Sequence, residues 1–575
     1  MLIQEIKQHF LLPIEVNPLK KEIFKNLNED LELLSCQHSE NNSVSVYEHI
    51  FKPKTEISKN NLEQWCKFYT TDTVFLKDTQ TLLQKYKALE YKKEIIDDWW
   101  NKWREIKEME QFLETYQYIE WEKLQFLNES EIFLSVLTFY QTISPVLSLM
   151  APFILLLIPF IILKVLKRPI TISQYFFVLR QQLDKHSMGQ LFTRFDALSW
   201  GQRSYLMMCC GMYVYQIYQN ALACYRFYKN TKEISKTFKL FNNYLENTEI
   251  QLKHFIEQTK DFESYKEYRE YLSDKLEDIK QLHKIVNKIP TSSFNPTKFA
   301  LMGKIMKEFY LLQSSHKVKE ILLFSFGFNG YIENIQQLQE NIKSKHIHTI
   351  KISTHKKPKM KMKKLYHPNL TSNYIDNSID IQKNKIITGP NAAGKTTILK
   401  ATIINVLLAQ QIGYGYHKGG TITPFDYIHC YLNIPDTNGR DSLFQAEARR
   451  CRQILEEIQI NKDKKHFCIF DELFSGTNPY EAIATAYGYL THISKNKNVK
   501  FMLTTHYIDL CKLLDKHKTE IENCQMETYI YNNIPNYTYK IIKGISKIKG
   551  GIMVLRQLKY PEVILQESNK IIESL

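Results

Sequence analysis

Apolar residues recur every three or four positions across residues 45–131 and 226–340, stretches rich in Leu, Lys, Glu and Gln and poor in glycine. No strand alternation persists there, so the period predicts amphipathic helices. Beyond residue 376 the pattern changes. Short apolar runs end in polar turns at Ile386-Ile387, Phe467-Cys468-Ile469-Phe470 and Phe501-Met502-Leu503, and Ile398 to Leu408 between them is apolar and helix-compatible. Strands that alternate with helices predict a parallel sheet covered by helices.

A third pattern interrupts the first. Residues 145–163 are nineteen residues without a charge, roughly 28 Å as a helix and close to the hydrocarbon thickness of a bilayer. The uncharged run begins at Ile132, and its thirty-two residues exceed one straight crossing. Residues 132–143 are therefore expected as an interfacial or re-entrant arm, with Ser144-Pro145 as the break and 145–163 as the span. Pro152 and Pro159 disfavour the interior of a soluble helix but are tolerated in membranes. The alternative is a buried core helix of a large soluble protein. Lys164, Lys167 and Arg168 follow the span, whereas Glu114, Glu120, Glu122, Glu129 and Glu131 precede it, which predicts a cytoplasmic C-terminal side. A second uncharged stretch, 204–225, contains Gln216, Gln219 and Asn220, and a return crossing would export a basic loop carrying Arg180, Lys185, Arg194 and Arg203. It is expected as a buried or membrane-lying helix. A hairpin, which would put both soluble parts on one side, is the alternative topology.

Composition changes this picture little. A chain of 575 residues with 44% hydrophobic and 24% charged residues has room for three or four folded domains. Ten cysteines without a C-x-x-C pair read as reduced and buried, in a cytosolic compartment, rather than as a disulfide or zinc framework. Met1-Leu2-Ile3-Gln4-Glu5 has neither the basic start nor the apolar run of a cleavable signal. The net charge of +15 suits nucleic-acid backbones and anionic membrane surfaces alike. Residues 341–375 hold nine lysines and no acid. They are expected as a solvated basic linker, or as a contact for phosphates of DNA or lipid head groups.

The chemistry concentrates after Ile387. Residues 389–397 read Gly389, Pro390, Asn391, Ala392, Ala393, Gly394, Lys395, Thr396, Thr397, which fits G-x-x-x-x-G-K-[ST] between a strand and a helix. Small residues bring backbone N–H groups against phosphate oxygens, Lys395 neutralises the β and γ phosphates, and the Thr396 hydroxyl ligates Mg²⁺. The bland alternative is a glycine turn in some other α/β core. Downstream, the strand ending in Asp471-Glu472 offers one carboxylate for the Mg²⁺ shell (Asp471) and one to polarise the attacking water (Glu472). A tight turn follows at Ser475-Gly476-Thr477-Asn478-Pro479. His506 closes the next strand, where open parallel sheets gather ligands, and is read as a γ-phosphate contact or as an ordinary strand-end histidine.

The segments Ile386 to Asn391, Phe470 to Thr477 and Leu503 to Tyr507 resemble the ATPase core of the MutS family of DNA mismatch repair proteins. Tyr366-His367-Pro368 resembles that family's His-Pro segment, and Asp441-Ser442-Leu443-Phe444-Gln445-Ala446-Glu447 its Ser-Thr-Phe motif. Lys543 to Ser546, Gly550 to Ile552 and Pro561 to Val563 are similar to its closing segment. The resemblance implies an α/β P-loop (ABC-type) ATPase that binds ATP and Mg²⁺. It also implies a homodimer or MutS-like heterodimer in which Ser442 and the turn Ser475, Gly476, Thr477 and Asn478 reach the ATP of the opposite subunit. Ala392-Ala393 stands where the family has Met-Gly, Thr396 where it has Ser, and Leu443 in the Ser-Thr-Phe motif. Tyr374 is a candidate to stack on adenine.

The expected organisation is then a helical N-terminal region resembling the start of the family's lever core (1–131) and a transmembrane segment (132–168). A helical core or lever (169–340), a basic linker with the first ATPase strand (341–375) and the ATPase domain (376–575) follow. The family's mismatch-reading domain is N-terminal and carries a Phe-x-Glu wedge. No Phe-x-Glu is expected in the first 130 residues, which also leave no room for that domain beside its connector and the lever core, so direct mismatch sensing is not expected. Three functions compete. The first is a membrane-anchored clamp on nucleic acid, independent of sequence, with its ATPase on the cytoplasmic side and a role in DNA repair or maintenance. The second is an ATP-driven clamp on membrane or protein partners. The third, an ABC transporter half, would require an LSGGQ-like signature and more spans, and neither is visible.

Overall fold

The computed structural model describes residues 2–35, 44–90, 92–167, 171–185, 189–190, 193, 199–290, 301–370, 374–432, 442–517, 520–531, 534–548, 552, 555–556 and 558–574. They form two compact units, one of Met1–Tyr91, Ile250–Leu276 and Leu323–Leu575, the other of Lys92–Glu249 and Glu277–Leu322.

The first unit is built on a six-stranded sheet in the order Tyr427–Tyr431, His466–Asp471, Val499–Thr505, Asn384–Thr388, Ile521–Tyr531, Ile534–Lys543. The first five strands are parallel and the last is antiparallel. Helices on the faces of a parallel sheet bury its strands on both sides, and Phe467 to Phe470 and Phe501 to Leu503 are accordingly fully buried. Helices Leu443–Ile460 and Pro479–Ser494 pack on this core through Ile454, Ile458, Ala482, Ala486 and Leu490.

Residues 1–91 belong to the same unit as the sheet. The Tyr47 hydroxyl donates to Gln411 Oε1 at 2.7 Å, the Gln411 amide donates to the Trp65 carbonyl at 2.6 Å, and the Tyr69 hydroxyl donates to the Asp426 carbonyl at 2.9 Å. Buried Glu333 accepts from the hydroxyls of Thr55 and Ser58, both at 2.7 Å. Each of these is a buried polar group that would be costly to leave unpaired. The compact unit thus joins segments that are consecutive neither in sequence nor in the expected domain order. Within 341–375 the chain is not a bare linker either. It forms strands His348–Thr349, Lys351–Ile352 and Met360–Leu365, the last with Met360, Met362 and Leu365 buried and Lys361, Lys363 and Lys364 exposed. Alternation from Met360 to Lys363, broken by an irregularity before Leu365, is the signal that the lysine charge concealed.

The second unit is helical. Trp99 stacks on Phe241 with ring centroids 4.3 Å apart, and Lys102 bridges Glu105 and Glu233 at 3.1 Å each. One helix, Glu131–Val165, runs 35 residues, with the Ser130 hydroxyl accepting from Phe133 N at its start. The break expected at Ser144-Pro145 does not occur, because a proline removes one hydrogen bond without forcing the chain to turn. Among the described residues, Glu131–Met150 is long and apolar enough to cross a bilayer, and Leu156–Val165 is a shorter apolar stretch. Residues 204–225 lie in helix Trp200–Gln258 and are not buried, since Tyr205, Met208, Met212, Tyr215 and Tyr218 are all more than half exposed.

Candidate active site

Three parallel strands deliver their chemistry to one edge. Register pairs Asp471 with Thr504 and Thr505 with Thr388, so the loops after Thr388, Asp471 and Thr505 leave the sheet side by side at the carboxyl ends. Thr388 is itself pinned: its hydroxyl donates to the Cys524 carbonyl at 3.2 Å and accepts from Ser546 N at 2.8 Å. The loop then closes tightly. A Cβ on Gly389 would meet Met526 Cβ at 3.1 Å, and Gly394, at φ +89°, caps helix Lys395–Gln411 in the left-handed region with Tyr539 3.1 Å from where its Cβ would stand. The second alanine of Ala392-Ala393 causes no strain. Ala392 instead takes the left-handed backbone, at φ 63°, while Ala393 is buried.

Lys395 Nζ donates to the carbonyls of Gly389 and Pro390 at 3.1 and 3.2 Å and lies 3.2 Å from His506 Nε2. The same His506 nitrogen lies 2.7 Å from Glu472 Oε1. One ring nitrogen cannot serve both, since it accepts from the lysine when bare and donates to the carboxylate when protonated. Burial pushes the Lys395 ammonium down from the usual lysine range, with Glu472 and Asp471 opposing. The hydrogen bond from His506 holds the Glu472 carboxyl below its ordinary value, so Glu472 is an anion at neutral pH. Glu472 and Phe474 both adopt the left-handed backbone, at φ 52° and 60°. Such geometry in side-chain-bearing residues costs about 1–3 kcal/mol each and clusters where function fixes the chain.

The Thr396 hydroxyl donates to Asp471 Oδ2 at 2.7 Å, and the Thr504 hydroxyl donates to Asp471 Oδ1. With its proton committed to the carboxylate, Thr396 Oγ1 keeps its lone pairs free for a cation. Two hard oxygen donors side by side suit Mg²⁺. Among the described residues no group of three or more His, Cys, Asp or Glu side chains is placed to hold a metal. Mg²⁺ here would need phosphate and water oxygens to complete its shell, which is its usual habit. A cavity of about 460 Å³ lies over these groups, walled by Asn391, Lys395, Thr396, Glu472, Tyr366 and Tyr539. That is room for a nucleotide.

The residues predicted to act across a dimer are engaged within the chain. Ser442 is exposed and caps helix Leu443–Ile460, accepting from Gln445 N at 3.3 Å, and Asn478 is exposed and caps helix Pro479–Ser494, accepting from Glu481 N at 3.0 Å. Thr477 donates to Glu481 at 2.7 Å. Buried Glu447 accepts from Ser475 N at 3.0 Å, Ser475 Oγ at 2.9 Å and Gly476 N at 3.1 Å. A Cβ on Gly476 would strike Phe444 N at 2.7 Å, so only glycine lets these two helix starts meet. The result is a pair of adjacent helix N-termini with capped but accessible tips. Tyr374 does not wall the cavity. It stacks on Tyr366 at 3.8 Å, so Tyr366 and Tyr539 are the aromatics that face a ligand.

Glu447, Thr504 and Tyr539 carry roles that no local spacing announced. His367, beside the cavity, is pushed down to about 4 by burial. Asp441, Gly550 and Gly551 lie outside the described residues. Contrary to that expectation, a Phe-x-Glu tripeptide does occur before residue 130, at Phe112-Leu113-Glu114. Phe112 is buried against Tyr116, Tyr118 and Phe309, so it has no free ring to insert between bases.

Residues 385–575 match the family model described as MutS domain V. The chain is similar to the DNA mismatch repair protein MutS of Listeria welshimeri, 24% identical over 294 residues, covering 47% of this chain and 34% of that protein. It is likewise similar to MutS of Persephonella marina, 26% identical over 250 residues (42% and 28%), and of Clostridium kluyveri, 29% identical over 213 residues (36% and 24%). The matched region spans about a third or less of the length of these relatives.

Proposed function

We propose that this chain is a membrane-anchored, MutS-like enzyme that hydrolyses ATP, works as a homodimer or MutS-like heterodimer, and grips DNA in an ATP-gated clamp without reading mismatches itself. The observation that carries the reading is the triangle of Lys395, His506 and Glu472 beside the Thr396–Asp471 pair, all at the carboxyl ends of parallel strands. Backbone N–H groups at the start of helix Lys395–Gln411 point at a bound anion, and the Lys395 ammonium balances its charge. Glu472, kept ionised, orients a water and draws its proton as it attacks. His506 steadies Glu472 and is in reach of the same phosphate as Lys395. Thr396 and Asp471 are the side chains that would hold Mg²⁺, which when bound screens the phosphate charge. The accessible tips at Ser442 and Asn478 are suited to a phosphate presented by a second subunit, which would make turnover depend on dimer geometry.

DNA is supported by the resemblance and by the net charge of +15, and the buried Phe112 agrees with grip by the backbone alone. A second reading, an ATP-driven clamp on membrane or protein partners, is favoured by the exposed apolar helices of the second unit. The anchor in either case leaves the ATPase domain on the cytoplasmic side, where ATP is.

Nucleotide binding and turnover by purified protein test the site. Lys395→Ala should lose ATP binding, whereas Glu472→Gln should keep it and cut turnover about 10²–10⁴-fold. Glu472→Gln turning over at the wild-type rate would show that the base is misassigned. Filter binding to duplex, mismatched and branched DNA across a salt series tests the partner. Affinity should fall steeply with salt and be equal for matched and mismatched duplex. No binding at low salt removes DNA and leaves the second reading.

A further inference from the structure

The membrane anchor just proposed has a topology that the compact units constrain. Residues 1–91 and 323–575 fold together, through buried bonds such as Tyr47 to Gln411 and Tyr69 to Asp426, and so share one side of any membrane. The chain leaves that unit at 91 and re-enters it at 250. Between those points it can cross a bilayer only an even number of times. An anchor that enters the bilayer at 132–163 therefore calls for a second membrane segment, in 166–249, rather than the single crossing expected at 145–163.

The second unit supplies one. The uncharged stretch 132–163 has its midpoint between Leu147 and Ser148, and the uncharged stretch 204–225 has its midpoint between Val214 and Tyr215. The structure joins these midpoints. The Tyr213 hydroxyl donates to the Ser148 carbonyl, and the Asn220 amide donates to Ser148 Oγ at 2.6 Å. Pro152 has no N–H, so the Ser148 carbonyl four residues before it lacks its helical donor, and Tyr213 satisfies that orphaned acceptor. In hydrocarbon such a group has no water to turn to, and a neighbouring helix must supply the donor. Asn220, which in the sequence weighed against a crossing, is turned to the partner helix. Gln216 and Gln219 stay exposed but carry no charge. The apolar side chains face away: Phe139, Leu147, Phe153, Leu157, Met212 and Val214 are each more than half exposed. Twenty-two uncharged residues make roughly 33 Å of helix, the thickness of a bilayer core. Polar atoms paired between helices and apolar atoms outside are the arrangement that lipid solvation selects.

We infer that Glu131–Val165 and the first half of Trp200–Gln258 form a hairpin that enters a lipid bilayer and returns, pinned at Ser148 by Tyr213 and Asn220. Both soluble parts lie on one face, and helix Ile172–Leu183 lies at the far one. That helix follows the end of Glu131–Val165, with the Tyr175 hydroxyl donating to the Leu156 carbonyl at 2.8 Å.

The full chain, reconstituted into phosphatidylcholine and phosphatidylglycerol liposomes and floated on a density gradient, tests this by trypsin digestion with and without detergent. Floated protein should lose both termini without detergent and keep one protected fragment running across both helices, with Lys167 and Arg180 cleaved only after detergent is added. If one terminus stays protected, or Lys167 and Arg180 are cut in intact liposomes, the hairpin is overturned while the anchor stands. Protein that stays at the bottom of the gradient, with its far-UV circular dichroism still helical, overturns the anchor as well.

Discussion

Beside the parallel sheet, Glu447 is buried with three donors on its carboxylate, whereas along Glu131–Val165 the rings and branches of Phe153, Leu157 and Ile161 face outward. The two units thus solve opposite solvation problems. The first takes polar groups out of water, where a buried donor or acceptor left unpaired costs about 1–3 kcal/mol. In the second, the uncharged segments 132–163 and 204–225 pair Ser148 with Tyr213 and Asn220 and leave apolar surface where water would penalise it, by roughly 25 cal/mol for each Å². One fold principle, satisfaction of the groups that the surroundings cannot satisfy, accounts for the sheet-centred unit and is what the proposed hairpin in lipid would obey as well.

The sharpest test of the first half of that comparison is His417, which is fully buried. Its Nδ1 accepts from Gly419 N at 3.0 Å, so the ring is neutral, and its Nε2 has no partner among the described residues. A protonated ring could not accept that bond, and burial above all, with His348 nearby, pushes its pKa down to about 4. The unfolded chain binds a proton near 6.5 and the folded one does not until about 4, so stability is flat above pH 6.5 and falls as pH drops towards 4. The loss should reach about 3 kcal/mol. His417→Asn keeps an acceptor for Gly419 without a titrating ring. Urea midpoints at pH 7 and pH 4.5 should therefore fall less for the variant than for the wild type, though His367 and His429, also lowered by burial, keep part of the fall, and equal falls would mean that the ring titrates freely.

What was legible in the sequence follows the same division. That the loop 389–397, Asp471, Glu472 and His506 come together could be read because each lies within a few residues of the strand that positions it, and strand ends converge in a parallel sheet. Glu447 could not be matched to Ser475 and Gly476, because the pairing spans a gap that only the meeting of two helix starts closes. Tyr539 covers Gly394 from a strand that adds to the sheet edge, and nothing near it in sequence marks a ligand wall. In the second unit the hydrophobicity was legible, and the even count that any crossing of the proposed membrane must obey was not. That count depends on residues 1–91 packing beside residues 323–575, a contact between the two ends of the chain.

A smaller effect tests the other half. Tyr213→Phe removes the donor to the Ser148 carbonyl while keeping the ring. In water a lost hydrogen bond of this kind costs about 1 kcal/mol, but inter-helix bonds in membranes average nearer 0.6 kcal/mol, because other partners are found. The thermal midpoint of the liposome-bound protein should fall slightly, with the ATPase rate unchanged. A loss of several kcal/mol would mean that Ser148 is buried in a dry protein core, and the contrast between the units would dissolve.

The last effect lies within the loop 389–397. Ala392 holds φ 63° although it carries a Cβ, and the left-handed region costs a residue with a Cβ about 1–2 kcal/mol. Ala392→Gly removes that strain, while the freer glycine adds about 0.4–1 kcal/mol of entropy to the unfolded chain. The two partly cancel, leaving a net gain of about 0–1.6 kcal/mol. The informative readout is therefore nucleotide affinity at constant stability. If the strained alanine holds the loop amides in place for the anion, a looser loop must be ordered at each binding event, and ATP should bind more weakly as urea resistance stays level or rises. Affinity and urea resistance rising together would show instead that the left-handed alanine is only a burden on the fold.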